Sequence, residues 1–108
     1  MDRTCCVMAE FSVVPMGTGK TSVSRYVAAA VKSFREMEGL DFEVTPMGTV
    51  LAAADLDTIF EAVKRAHEAI VALGVKRVAS TLRLDDRRDK KRTLQDKVEA
   101  VERSLKEP

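Results

Sequence analysis

The chain predicts an α+β sandwich in which helices cover one side of a four-stranded antiparallel sheet, and three observations carry that expectation. Two apolar stripes at helical spacing are flanked by alternating runs, so the elements read strand, helix, strand, strand, helix, strand. The alternating runs mix apolar and polar residues, as strands of an antiparallel sheet with one solvated face do. Finally, Val13-Val14-Pro15-Met16-Gly17-Thr18 returns almost unchanged thirty-one positions later as Val44-Thr45-Pro46-Met47-Gly48-Thr49, each copy closing an alternating run.

From Cys5 to Val14, Cys5, Val7, Ala9, Phe11 and Val13 fall on one side and Cys6, Met8, Glu10, Ser12 and Val14 on the other. The Gly17-Thr18-Gly19 turn then leads into a stripe of Val23, Tyr26, Val27, Ala30, Val31, Phe34 and Met37, which predicts a helix from about Thr21 to Glu38 with Gly39 as its C-cap. Leu40 to Thr45 alternates, Pro46-Met47-Gly48 breaks the run, and Thr49 to Ala52 resumes it, a hairpin signature. Asp55 is a good N-cap for a second helix, whose stripe of Leu56, Ile59, Phe60, Val63, Ala66, Ile70 and Leu73 ends at Gly74.

Val75 to Leu84 reads as a fourth strand, and Asp85 to Arg92 as a solvated mixed-charge connector or an intersubunit salt-bridge segment. Thr93 with Asp96 resembles a capping box before Leu94, Val98, Val101 and Leu105. That thin stripe suits an extra C-terminal helix docked on a partner subunit or a sheet edge. The order is the split βαβ, ferredoxin-like pattern, and right-handed crossovers give the strand order 4-1-3-2. The 108 residues are expected to form one domain, 1–108.

With 18 basic and 17 acidic residues the chain is not a general nucleic-acid binder. No apolar run reaches membrane-helix length, and the amino terminus lacks a secretory pattern, so a cytosolic location is expected. Cys5 and Cys6 are adjacent and read as small strand fillers, and one histidine makes a zinc site unexpected. His67, on the flank of its helix, reads as structural, since no motif places a nucleophile beside it. Glu10 and the Asp85-Asp86 pair are expected far apart on the sheet, implying no acid and base pair.

In the predicted sheet the two Pro-Met-Gly-Thr segments share one edge and could rim a pocket, although turn chemistry alone also explains Pro and Gly there. The uncovered face would carry Met8, Val14 and Met47, a poor surface for a monomer, so oligomerisation is expected. Glu10, Ser12, Thr81 and Arg83 should share that face, where they pair with one another or bind a polar ligand. Gly17-Thr18-Gly19-Lys20-Thr21 imitates a phosphate-binding loop, but Val14 stands where the pattern wants glycine and Pro15 has no N–H to donate. The remaining expectation for Gly19, Lys20 and Thr21 is a simple anion site at the helix start.

Five blocks in order resemble the small thiamine-binding proteins related to YkoF: Ala9 to Thr18, Thr45 to Thr49, Lys64 to Glu68, Gly74 to Val78, and Asp85 to Lys90. The resemblance implies a ferredoxin-like fold assembled as a dimer of dimers, usually a homotetramer. It further implies binding of thiamine or its hydroxymethylpyrimidine moiety without catalysis and without a cofactor. Its motifs contain Glu10, Ser12, Thr18, Met47, Gly48 and Thr49. Gly19-Lys20-Thr21 departs from the family's usual polar continuation, which leaves room for a phosphorylated or other anionic ligand. The ligand-binding set is therefore Glu10, Ser12, Thr18, Met47, Gly48, Thr49, Thr81 and Arg83. The alternatives are a structural or regulatory assembly module without a small ligand, and a phosphate-handling enzyme using Lys20.

Overall fold

The computed structural model describes residues 7–89 and 93–107. Cys5, Cys6 and the end of the charged connector, 90–92, lie outside them. Strand β1 spans Val7–Met16, helix α1 Ser24–Phe34, β2 Leu40–Thr45, β3 Gly48–Ala53, α2 Leu56–Val71, β4 Arg77–Asp86 and α3 Leu94–Lys106. The four strands form one antiparallel sheet in the order β2-β3-β1-β4. This is the expected order read from the opposite edge.

Period-two patterning sorts β1 from Ala9 onward. Val7, Ala9, Phe11 and Val13 are buried with Leu51 and Ala53 of β3, against Ala30 and Phe34 of α1 and Ile59, Ala62, Ala66 and Ile70 of α2. The small Ala62 and Ala66 let α2 lie close to the sheet, while Ile59 and Ile70 supply bulk at either end. Each large side chain buried here contributes about 1.5–3 kcal/mol relative to exposure. Among the described residues, the opposite face has no helical layer of its own. There, Met8 and Ala52 are buried together, with Leu94 from the start of α3 packed on them. Met8 is therefore covered within the chain, contrary to its expected place on a bare face.

The helix ends differ from expectation for identifiable reasons. Gly17 and Gly19 both have positive φ, and the Thr18 hydroxyl holds Lys20 locally, accepting from its N–H and donating to its carbonyl. That turn keeps the backbone out of the helix until Ser24, three residues later than expected. At the other end α1 stops at Phe34, and Met37 makes a three-residue return to the Phe34 carbonyl before Gly39. β1 and β4 run to Met16 and Asp86, each two residues beyond its expected end.

Asp55 caps α2, its carboxylate accepting from the Thr58 N–H at 2.8 Å and from the Thr58 hydroxyl at 2.7 Å. The first of these bonds is the main cause holding its carboxyl below the usual value. A depressed folded value means the stabilisation is complete above the ordinary Asp value of about 3.9 and is lost as pH falls through the lower, folded one. Asp55→Ala is expected to lower the urea midpoint at neutral pH, with the gap to the parent closing in that acid window. A pH-independent gap in chemical denaturation would contradict the assignment.

Candidate functional site

The two Pro-Met-Gly-Thr copies fold differently. In the second, Pro46 and Met47 form a two-residue hairpin loop between the paired residues Thr45 and Gly48. The Thr45 hydroxyl donates to the Gly48 carbonyl at 2.8 Å and accepts from the Met47 N–H at 3.3 Å. Neither Pro46 nor Met47 has positive φ, so the loop is not one of the primed turns that match strand twist. Gly48 is favoured by proximity: a Cβ there would stand 3.0 Å from the Phe11 carbonyl oxygen, a tight contact.

In the first copy the strand does not stop at proline. β1 continues through Pro15 and Met16, paired with Val78 and Arg77 of β4. Its pairing with β3 ends at Phe11↔Thr49, so the far side of Pro15 is a free edge where a missing donor is tolerated. Gly17 lies five residues past Ser12, about 17 Å along an extended strand. The expectation that both turns rim one pocket is corrected accordingly: they lie toward the same end of the sheet but border separate hollows.

The unequal strand lengths create a notch. Where β3 turns back and β1 goes on, a cavity of about 220 Å³ is bordered by both faces of β1, by the 45–48 hairpin and by Val23, Val27 and Phe34. Its walls are mainly apolar. Of the polar residues Ser12, Thr45 and Thr49 in its wall, Thr49 is buried, 6% exposed, and among the described residues its hydroxyl has no hydrogen-bond partner. A buried hydroxyl left unpaired costs about 1–3 kcal/mol, so such a group calls for a reason. Ser12, Met47 and Gly48 border the same cavity.

Around the corner, on the open face, the expected polar strip is present. Glu10 lies opposite Arg83 and Ser12 opposite Thr81 across the β1–β4 pairing. The Glu10 to Arg83 ion pair is loose, at 4.0 Å with the Arg83 side chain 80% exposed, so it adds little stability and leaves Glu10 able to meet another cation. Asp85 shares a shallow groove with Glu10, Arg83 and Lys97, nearer than the sequence suggested, because its partner Met8 is two residues from Glu10. Asp85 is engaged by Lys97 of α3 at 3.0 Å. The connector pairs locally, Arg88 with Asp86 and Arg87 with Asp89, both at 2.8 Å. Hydrogen bonding from Arg88 holds the Asp86 carboxyl below its usual value, with desolvation opposing.

Sequence reasoning thus finds two groups that meet at Ser12, namely Ser12, Met47, Gly48 and Thr49 at the notch, and Glu10, Ser12, Thr81 and Arg83 on the open face. Thr18 stands apart, in a hollow with Tyr26 and Arg77. Gly19, Lys20 and Thr21 precede the helix without opening it, so the N–H cradle of a phosphate loop is absent. The cavity's second wall was missed: Val23, Val27 and Phe34 carry only the ordinary signal of a helical apolar stripe. His67 bonds Ser80 at 2.8 Å and lies 6.3 Å, ring to ring, from Phe11, a tie between α2 and β4.

Fold and site define a ferredoxin-like α+β domain with a half-open sheet and a notch at the start of its third strand. The chain belongs to the thiamine-binding protein family, whose model matches residues 9–102. It is 50% identical to a UPF0045 protein of Methanothermobacter thermautotrophicus, over 92% of this chain and 99% of that one. A solved structure from Methanocaldococcus jannaschii superposes with a TM-score of 0.78 at 42% identity, covering 93% of this chain and 97% of the other. A candidate thiamine biosynthesis/salvage protein of Thermotoga maritima shares the fold, with a TM-score of 0.70 at 21% identity over 88% and 97% of the two chains.

Proposed function

We propose that this protein binds thiamine or its hydroxymethylpyrimidine moiety without catalysis, as a cytoplasmic homo-oligomer. The observation that carries the reading is the buried Thr49 hydroxyl, without a partner among the described residues, in a mainly apolar notch of a chain from the thiamine-binding protein family. Small-molecule sites combine apolar walls with a few placed polar groups. An aminopyrimidine is flat and carries donors and acceptors on its edge, which Thr49, Ser12 and the hairpin backbone can meet. Met47, 84% exposed at the hairpin tip, can fold over the ring.

In this arrangement the pyrimidine enters the notch and the thiazolium lies over the open face toward Glu10, two residues from Ser12. Glu10 offsets the positive ring, while Arg83 swings into solvent. Calorimetry is expected to show binding of both thiamine and uncharged hydroxymethylpyrimidine. Glu10→Ala is expected to weaken thiamine about fivefold, the worth of a solvent-screened contact near 1 kcal/mol, and to leave the pyrimidine unchanged. Absence of heat with either compound at millimolar concentration would favour the assembly-module reading instead.

Self-association is supported by apolar surface on two elements. Val14 and Met16 are exposed on the open face, and Val98, Val101 and Leu105 are exposed along α3, of which no residue is buried. Such surface favours association with a second copy, and the proposed assembly is a homotetramer, a dimer of dimers. Sedimentation equilibrium is expected to return four protomers; a monomer at micromolar concentration would contradict this part of the reading.

A further inference from the structure

Charge is unevenly spread along this chain. Residues 11–35 contain no Asp or Glu but include Lys20, Arg25, Lys32 and Arg35, and residues 69–84 contain none but include Lys76, Arg77 and Arg83. The fold brings these two acid-free stretches together, because Pro15 and Met16 pair with Val78 and Arg77. At that junction lies a hollow of about 550 Å³ bordered by Met16, Thr18, Tyr26, Leu73, Lys76 and Arg77, among others, with no carboxylate in its wall among the described residues.

We propose that this hollow is a second binding site, which takes a phosphate ester bearing an apolar or aromatic organic part. Lys76 and Arg77 have no ion-pair partner among the described residues, so their charge is not spent on the protein itself. Arginine presents a planar fork that matches phosphate oxygens, and lysine adds a compact charge. Tyr26 is half-buried against the core, and its hydroxyl also has no partner among the described residues. As a lining residue it can offer the ligand a neutral donor. Leu73, Met16 and Tyr26 supply apolar surface, which distinguishes an organic phosphate from the inorganic ion.

Thr18 borders the hollow, while its hydroxyl fixes the turn that carries Lys20. The Gly-Lys-Thr letters thus lie beside a cationic hollow without forming a phosphate loop. The site stands about five strand residues beyond the Thr49 notch and does not depend on the thiamine reading.

Calorimetry with phenyl phosphate and inorganic phosphate at low ionic strength tests it. Phenyl phosphate is expected to bind at least about fivefold more tightly than inorganic phosphate. Lys76→Ala/Arg77→Ala is expected to weaken phenyl phosphate about tenfold or more, and the charge-matched Lys32→Ala/Lys64→Ala by less than about twofold. Thr49→Val should leave it unchanged, separating this site from the notch. Should the first pair disturb the fold by circular dichroism, Tyr26→Phe removes one donor only and is expected to weaken binding about threefold. The assignment is overturned by no binding, by parity of the two phosphates, by equal weakening in both double variants, or by full affinity in Lys76→Ala/Arg77→Ala or Tyr26→Phe.

Discussion

Phe34→Ala is expected to cost about 3–5 kcal/mol, the usual range for deleting a fully buried aromatic side chain. Phe34 is 1% exposed, meets Phe42 edge to face at 5.6 Å, and joins α1 to the apolar side of the sheet. A domain of this size has a total stability of about 5–15 kcal/mol, so the loss is a large share of it. Because Phe34 also walls the notch, truncation should enlarge the cavity and remove a surface against which a flat ligand packs. Urea denaturation checks the first effect and calorimetry the second. A loss below about 1 kcal/mol would mean that α1 does not pack on the sheet as described.

Thr49→Val is expected to move stability and affinity in opposite directions. The two side chains have nearly the same shape, so the substitution removes the hydroxyl without opening space. The hydroxyl is buried and has no partner among the described residues; relieving its desolvation is expected to stabilise the free protein by about 1 kcal/mol. If that hydroxyl bonds the pyrimidine edge, its loss weakens both thiamine and hydroxymethylpyrimidine about tenfold. A purely structural Thr49 would lose stability on substitution or leave affinity untouched. Melting curves of the free protein and titrations of the same preparation separate the outcomes.

Much of the fold was legible because burial in β1 alternates from Ala9 to Met16 and α2 carries an unbroken stripe from Leu56 to Ile70. The Thr93 to Asp96 capping box was legible too, and both of its reciprocal bonds are present. What local letters do not carry is where a neighbouring strand stops. Pro15 and Pro46 sit in nearly the same hexapeptide, yet one lies inside a ten-residue strand still paired to β4 and the other at the tip of a hairpin. The notch follows from that difference, since six-residue β3 leaves part of β1 without a partner on one side.

Face assignment accounts for the rest of the site. Thr49 shares the parity of Leu51 and Ala53, which puts it on the helix side, whereas Glu10 and Ser12 have the opposite parity on β1. Motif membership groups them as one set, although they lie on two sides of the sheet. Ser12 joins the two groups because it stands one residue past the last β1–β3 pair, where the sheet no longer separates its faces.

The proposed ligand enters the sheet at the start of β3, beside Gly48 and Thr49. Proton–nitrogen correlation spectra recorded during titration with thiamine test it directly. The amides of Ser12, Met47, Gly48 and Thr49 are expected to shift first and furthest, followed by Glu10 and residues of α1 near Val27. Shifts confined to β4 and α3, with the hairpin amides unmoved, would contradict the notch as the binding site.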